Sequence, residues 1–173
     1  PDLTLSPLYR VDGTCDLDER VLEDWPGFND EGPVRVGNGA IRYPQNDIFG
    51  EMVLALTPVF LDERFSAERS PASLDLLQRL ARKAIAVAGS PDAGIWEYRT
   101  EWKPQTFSTL MCWAAADRMA RVAARHAPEV EGEFRQAAAR IRDEIITRCW
   151  NAGLESFVGT QDGQDLDASL LQM

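Results

Sequence analysis

From Leu110 to Ala116 the chain reads Leu-Met-Cys-Trp-Ala-Ala-Ala, without a polar side chain, inside a helix-forming stretch over residues 106–125. Wound as a helix, that run is apolar on every side, so it needs neighbours all round rather than one surface to lie on. The same sequence supplies them. Phe49, Met52, Val53, Leu56 and Phe60 recur at steps of three and four; Asn46 or Asp47 is placed to cap the first turn, and Pro58 is expected to end or kink the helix. Ser70 before Pro71 opens a second helix with the stripe Leu74, Leu77, Ala81, Ala84 and Ala88, stopped by Gly89-Ser90-Pro91. Thr106 or Ser108 is expected to cap the third, with Trp113 in the core. Residues 130–150 give a fourth helix, with Phe134, Ala138, Ile141, Ile145 and Cys149 inward; an extended piece at 154–158 and a helix start at Asp165 or Asp167 follow. Alanines at 114–116, 120, 123 and 137–139 permit close helix approach. With no alternating strand pattern, the expectation is an all-α fold with successive helices antiparallel and the helices from about Asn46 and Thr106 most buried.

Residues 1–45 differ from the helical region 46–173: they are punctuated by Gly, Pro and Asp and read as one long irregular segment. With 28 acidic against 18 basic residues, the net charge of -10 repels a phosphate backbone or an anionic membrane, so neither nucleic acid nor membrane is an expected partner. No apolar run approaches the ~20 residues of a membrane span, and no signal-peptide layout opens the chain. Cys15, Cys112 and Cys149 are odd in number and far apart, which reads as reduced thiols in a cytoplasmic protein. His126 is expected at a solvated helix end. The start at Pro1 and the stop inside an apolar pattern read as a fragment of a longer chain.

Three segments carry residues suited to chemistry. Arg35-Val36-Gly37-Asn38-Gly39-Ala40, then Tyr43-Pro44-Gln45-Asn46-Asp47, combines glycines that let backbone approach a ligand with amides and a carboxylate suited to hydroxyl groups; a tight turn with a helix cap is the alternative. Gly94-Ile95-Trp96-Glu97-Tyr98-Arg99 sets a carboxylate between aromatics, where desolvation favours the protonated form and a neighbouring Arg opposes it; a loop ion pair is the alternative. Thr106-Phe107-Ser108 through Asp117-Arg118 reads as structural. There is no phosphate-binding glycine loop, no metal-ligand spacing and no nucleophile with an imidazole partner, so neither metal nor cofactor is expected. Carboxylates, aromatics and amides together suit carbohydrate.

These blocks, with Pro33-Val34 before the first, Ile48-Phe49-Gly50-Glu51 after Asp47, Met111-Cys112-Trp113-Ala114, and Leu166-Asp167-Ala168-Ser169-Leu170-Leu171, resemble glycoside hydrolase family 15 in order and spacing over nearly the whole chain. The family contains glucoamylases, glucodextranases and trehalases. The resemblance implies part of an (α/α)6 barrel, with Glu97 as the general acid of an inverting, exo-acting α-glucosidase. It further implies that Trp96, Tyr98, Arg99, Gln45, Asp47 and Asn38 bind substrate. The family's catalytic base and its Arg-Asp pair lie in segments this chain does not contain. Tyr98 stands where fungal members carry a second acidic residue, and Tyr43 where many bacterial members have Gln, which leaves substrate choice open. The first expectation is glucoamylase-like action on an α-glucan or isomalto-oligosaccharide. The alternatives are a trehalase acting on trehalose and, from another class, a non-catalytic helical sugar-binding or interaction module. Gln45, Asp47, Trp96, Glu97 and Arg99 are expected to converge on one cleft. Helix faces left exposed in a fragment are expected to meet the remainder of the barrel or to self-associate.

Overall fold

The structure is a computed structural model and describes residues 3–173. Two units are compact in themselves: residues 4–43, and residues 44–173 together with Leu3.

The smaller unit is held by a two-residue antiparallel ladder, β1 (Arg20–Val21) against β2 (Arg35–Val36), with Arg20 opposite Val36. Its glycine-rich turn packs on its own chain. Gly37 has φ +79°, and a Cβ there would lie 2.3 Å from Asp18 O. Asn38 donates its N–H to Leu17 O (2.8 Å) and accepts Ala40 N–H on Oδ1 (3.0 Å), capping a 3-10 turn over Gly39–Arg42. The carboxylate of Asp18 grips Arg42 at 2.7 Å.

The larger unit is helical: α1 (Asp47–Leu61), α2 (Pro71–Val87), α3 (Thr106–His126) and α4 (Pro128–Arg148). Their directions follow from which ends meet. Cys112 lies against Asn46 O and Met111 O against Gly50, while His126 bonds Phe60 O and Arg125 bonds Leu61 O, so α1 and α3 run parallel. Arg69 just before α2 bonds Val59 O, and Ser90 O just after it accepts from Asn46, so α2 runs back along α1. Arg82 pairs with Glu133, and Gly89 abuts Glu144, which sets α4 parallel to α2. Successive helices are therefore antiparallel, and α3 packs against each of the other three. Four helices do not close a ring.

The apolar run explains the layering. Thirteen of the 21 residues of α3 are buried, and its neighbour α1 buries Phe49, Gly50, Val53 and Phe60. The outer helices bury one stripe each, Leu77, Leu80, Ala81 and Ala84 on α2 and Phe134, Ala138, Ile141 and Ile145 on α4. Ala116 of α3 packs into Ala138, Ile141, Ile145 and Cys149, with Trp113 half-buried at the edge of that cluster rather than inside it. Two short ladders close the helix connections, β3 (Pro91–Asp92) with β4 (Lys103–Pro104) and β5 (Trp150–Asn151) with β6 (Ser156–Phe157).

Several local expectations are corrected. Neither Asn46 nor Asp47 caps α1 with its side chain: the amide of Asn46 is spent on Ser90 O, and its N–H on Asp92 Oδ2. Pro58 does not end α1, which runs on to Leu61, and Thr57 Oγ hydrogen-bonds Val53 O within the helix (2.7 Å). Neither Thr106 nor Ser108 caps α3: the cap position falls on Gln105, and inside the first turn Thr106 donates to Val158 O (2.5 Å) and Ser108 to Asp92 Oδ2 (2.8 Å). His126 does end α3, but its ring is partly covered rather than fully solvated, edge-on to Phe60. Asp167 does begin the last turn, a 3-10 segment over Ala168–Gln172, accepting Ser169 N–H at 2.8 Å.

Candidate active site

The loop between β3 and β4 carries Trp96, Glu97 and Tyr98, and its shape comes from two left-handed residues. Gly94 has φ +63° and packs so closely on Gln105 that a Cβ would sit 2.8 Å from its Cγ. Glu97 has φ +53°, a conformation that costs a non-glycine residue ~1–3 kcal/mol and persists only where surrounding contacts fix it. Those contacts are visible: Glu97 N–H bonds Gly94 O (3.1 Å), Tyr98 N–H bonds Ala93 O (3.0 Å), and the Trp102 indole bonds Tyr98 O (2.9 Å).

The half-buried carboxylate of Glu97 accepts a hydrogen bond on Oε1 from Gln45 Nε2 at 3.3 Å. Gln45 is brought there because Pro44 O takes the N–H of Ala93 (2.9 Å), splicing the chain before α1 to the root of the loop. Trp96 is half-exposed, and its indole N–H is shared between the two carboxylate oxygens of Asp167, at 2.9 and 3.1 Å. Tyr98 and Arg99 are exposed on the same loop. Beside it lies a cleft of about 260 Å³ lined by Tyr98, Glu101, Lys103, Gln105, Asp165 and Asp167. A larger groove of about 530 Å³, between α3 and α4, contains none of the loop residues and is lined mainly by arginines and alanines.

Asp47 does not join this surface. It is 2% exposed, turned inward at the first residue of α1, with Oδ1 lacking a hydrogen-bond partner. Burial, reinforced by the neighbouring charges of Glu51 and Asp92, pushes its carboxyl up to about 7. It stands behind the site rather than in it. Asn38 belongs to the smaller unit, where its Oδ1 is engaged in the turn already described. Gln45, Trp96, Glu97, Tyr98 and Arg99 do share one region.

Two carboxylates that the sequence did not single out are built into it. Asp167 was legible as a helix start, but its hold on Trp96, 71 residues away, left no signal. Asp92 is wholly buried, accepting Asn46 N–H and Ser108 Oγ, each at 2.8 Å. Burial raises its pKa above the ordinary value, and these donors oppose the rise. Among the described residues no cluster of His, Cys, Asp and Glu is arranged to hold a metal ion, and no helix is long and apolar enough to cross a membrane.

A carboxylate, an amide and aromatic side chains gathered on one loop surface are groups suited to contacting sugar hydroxyls and C–H faces. The chain matches the family model "Glycosyl hydrolases family 15" over residues 2–173, and it belongs to that family. It is 37% identical over 171 residues to a protein named trehalase from Mycobacterium tuberculosis, covering 96% of this chain and 24% of that one. A trehalase from Mycolicibacterium smegmatis is 35% identical over 96% of this chain and 25% of its own length, and one from Thermoplasma volcanium 29% identical over 99% and 27%. The chain thus spans about a quarter of the length of the curated relatives it matches. No solved structure matches it.

Proposed function

We propose that this chain is the general-acid portion of an inverting α-glucosidase that hydrolyses trehalose, with Glu97 as the acid. The observation that carries the reading is the conformation of Glu97: a non-glycine residue held at φ +53°, half-buried, with Gln45 on one carboxylate oxygen. The other oxygen is left to meet a glycosidic oxygen. Trp96 offers an indole face to the apolar side of a sugar, its N–H already engaged by Asp167. Arg99 and Tyr98 contribute hydroxyl-binding groups at the rim.

The name shared by the relatives supports trehalose over the α-glucan or isomalto-oligosaccharide of a glucoamylase. Inversion needs a second carboxylate ~6.5–9.5 Å from the acid to activate water on the opposite face of the sugar. In this reading it comes from outside these 173 residues. The test is Glu97→Gln in the full-length protein, assayed on trehalose, maltose and isomaltose. Positioned acid catalysis contributes ~10²–10⁴-fold, so the amide should cost about that much on trehalose. β-Glucose should be released alongside α-glucose in the first turnovers, seen by NMR. A fully active variant removes Glu97 from the role, preference for maltose returns the glucoamylase reading, and sugar binding without turnover by the unaltered protein points to a non-catalytic module.

A further inference from the structure

We propose that Asp92 is a positioning residue for Glu97, a wholly buried carboxylate that pins the two segments carrying Gln45 and Glu97 to the N-terminal ends of α1 and α3. The inference rests on Glu97 being the acid.

The geometry converges on one side chain. Asp92 Oδ2 accepts the N–H of Asn46, next in sequence to Gln45, and the hydroxyl of Ser108 in the first turn of α3. The backbone N–H groups of Gly94, which opens the acid loop, and of Gln105, which precedes α3, also face this carboxylate. Ala93, the residue after Asp92, donates to Pro44 O, the residue before Gln45. Every covalent route into the Gln45–Glu97 contact thus passes within two residues of a group bonded to Asp92 or to its neighbour. A carboxylate is suited to this place because the N-terminal ends of two helices, with their unpaired N–H groups and positive dipole ends, point toward it.

Its surroundings make its charge distinctive. Burial and hydrogen-bond donors, none of them a basic side chain, are the influences on it, and its own charge acts in turn on Asp47 and Cys112. Each of the two buried carboxyls leaves its Oδ1 without a hydrogen-bond partner, and Asp92 is the one whose Oδ2 takes two donors, Asn46 N–H and Ser108 Oγ–H, while burial and the charges of Glu51 and Asp92 push Asp47 up to about 7. An amide in place of Asp92 would present an N–H₂ group to some of these N–H donors and release the Gln45 segment from the loop.

The test compares trehalose with α-glucosyl fluoride, whose fluoride leaves without taking a proton from the enzyme. In the full-length protein, Asp92→Asn should lower kcat on trehalose by ~10-fold to 10²-fold with KM little changed, while kcat on the fluoride stays within about threefold. In a Glu97→Gln background the same substitution should cost nothing further on trehalose, because the two act through one proton transfer. Ser108→Ala removes one donor to Asp92 and should show the same substrate selectivity more weakly; it decides the comparison if Asp92→Asn does not fold. Equal losses on both substrates, no loss, or full additivity with Glu97→Gln would overturn the inference. A fully active Glu97→Gln protein would instead overturn the assignment of the acid.

Discussion

Gly50 shows how much one residue can fix. It lies in α1 where a Cβ would be 2.2 Å from Met111 O and 2.5 Å from Met111 C, both backbone atoms of α3. A flexible side chain could yield there, but a helix backbone cannot without shifting the whole element. Gly50→Ala should therefore destabilise the protein by ~1–3 kcal/mol or more, read as a lowered urea midpoint, and should displace the amide resonances of both α1 and α3. An unchanged midpoint would mean that the two helices are not in backbone contact. At this scale the sequence is legible where the residues are contiguous, as with Trp96, Glu97 and Tyr98, which one loop between β3 and β4 carries together. It is opaque where the use is a distant contact: nothing near Asp92, Gly50 or Asp167 in the chain announces partners 16, 61 and 71 residues away.

Among the elements, α2 is the one whose limits are set locally. Ser70 Oγ accepts Ser73 N–H (3.0 Å), Ser73 Oγ accepts Ser70 N–H (2.9 Å), and Pro71 occupies a position where no N–H is needed. Ser70→Ala should cost ~1 kcal/mol and speed amide exchange in the first turn of α2 alone; a loss spread evenly over all four helices would contradict a local cap. That locality is why the Ser-Pro start could be read from sequence. Thr106 and Ser108 have the same residue types at a helix start and the same prior claim to be caps. Their hydroxyls instead donate to Val158 O and Asp92 Oδ2, because both residues already lie inside the helix, whose cap position is Gln105, and its first turn is buried against other segments. Hydrophobic spacing survives such competition better than capping does, since it sums over many residues: the inward face of α4 is the one its periodicity predicts.

For the whole molecule, the consequence of burying two carboxyls beneath the loop that carries Glu97 is a stability that depends on pH in an unusual direction. Asp47 has an ordinary pKa of 3.8 when unfolded and about 7 in the fold, and the pKa of Asp92 is also raised. Between those two values of Asp47 the folded chain keeps a proton that the unfolded chain releases. Its contribution is therefore full below about pH 4 and is lost as pH rises through about 7, the reverse of a salt-bridged aspartate. The lowered carboxyls, Asp62 held by Arg64 and Glu133 held by Arg82, act in the opposite sense, but Glu133 is exposed and Asp62 only partly covered, so solvent screens both. Asp47→Asn retains the shape of the protonated acid and removes the titration. The full-length protein should accordingly lose stability from about pH 4.5 to 8, by an amount on the order of a few kcal/mol at most, and Asp47→Asn should flatten that slope. At about pH 8 the variant should be the more stable of the two by urea midpoint, with the difference vanishing near pH 4.5. A variant that is less stable than its parent at the alkaline end would show that Asp47 is ionised and usefully paired in the fold, and that the buried carboxyls carry their charge on the other member.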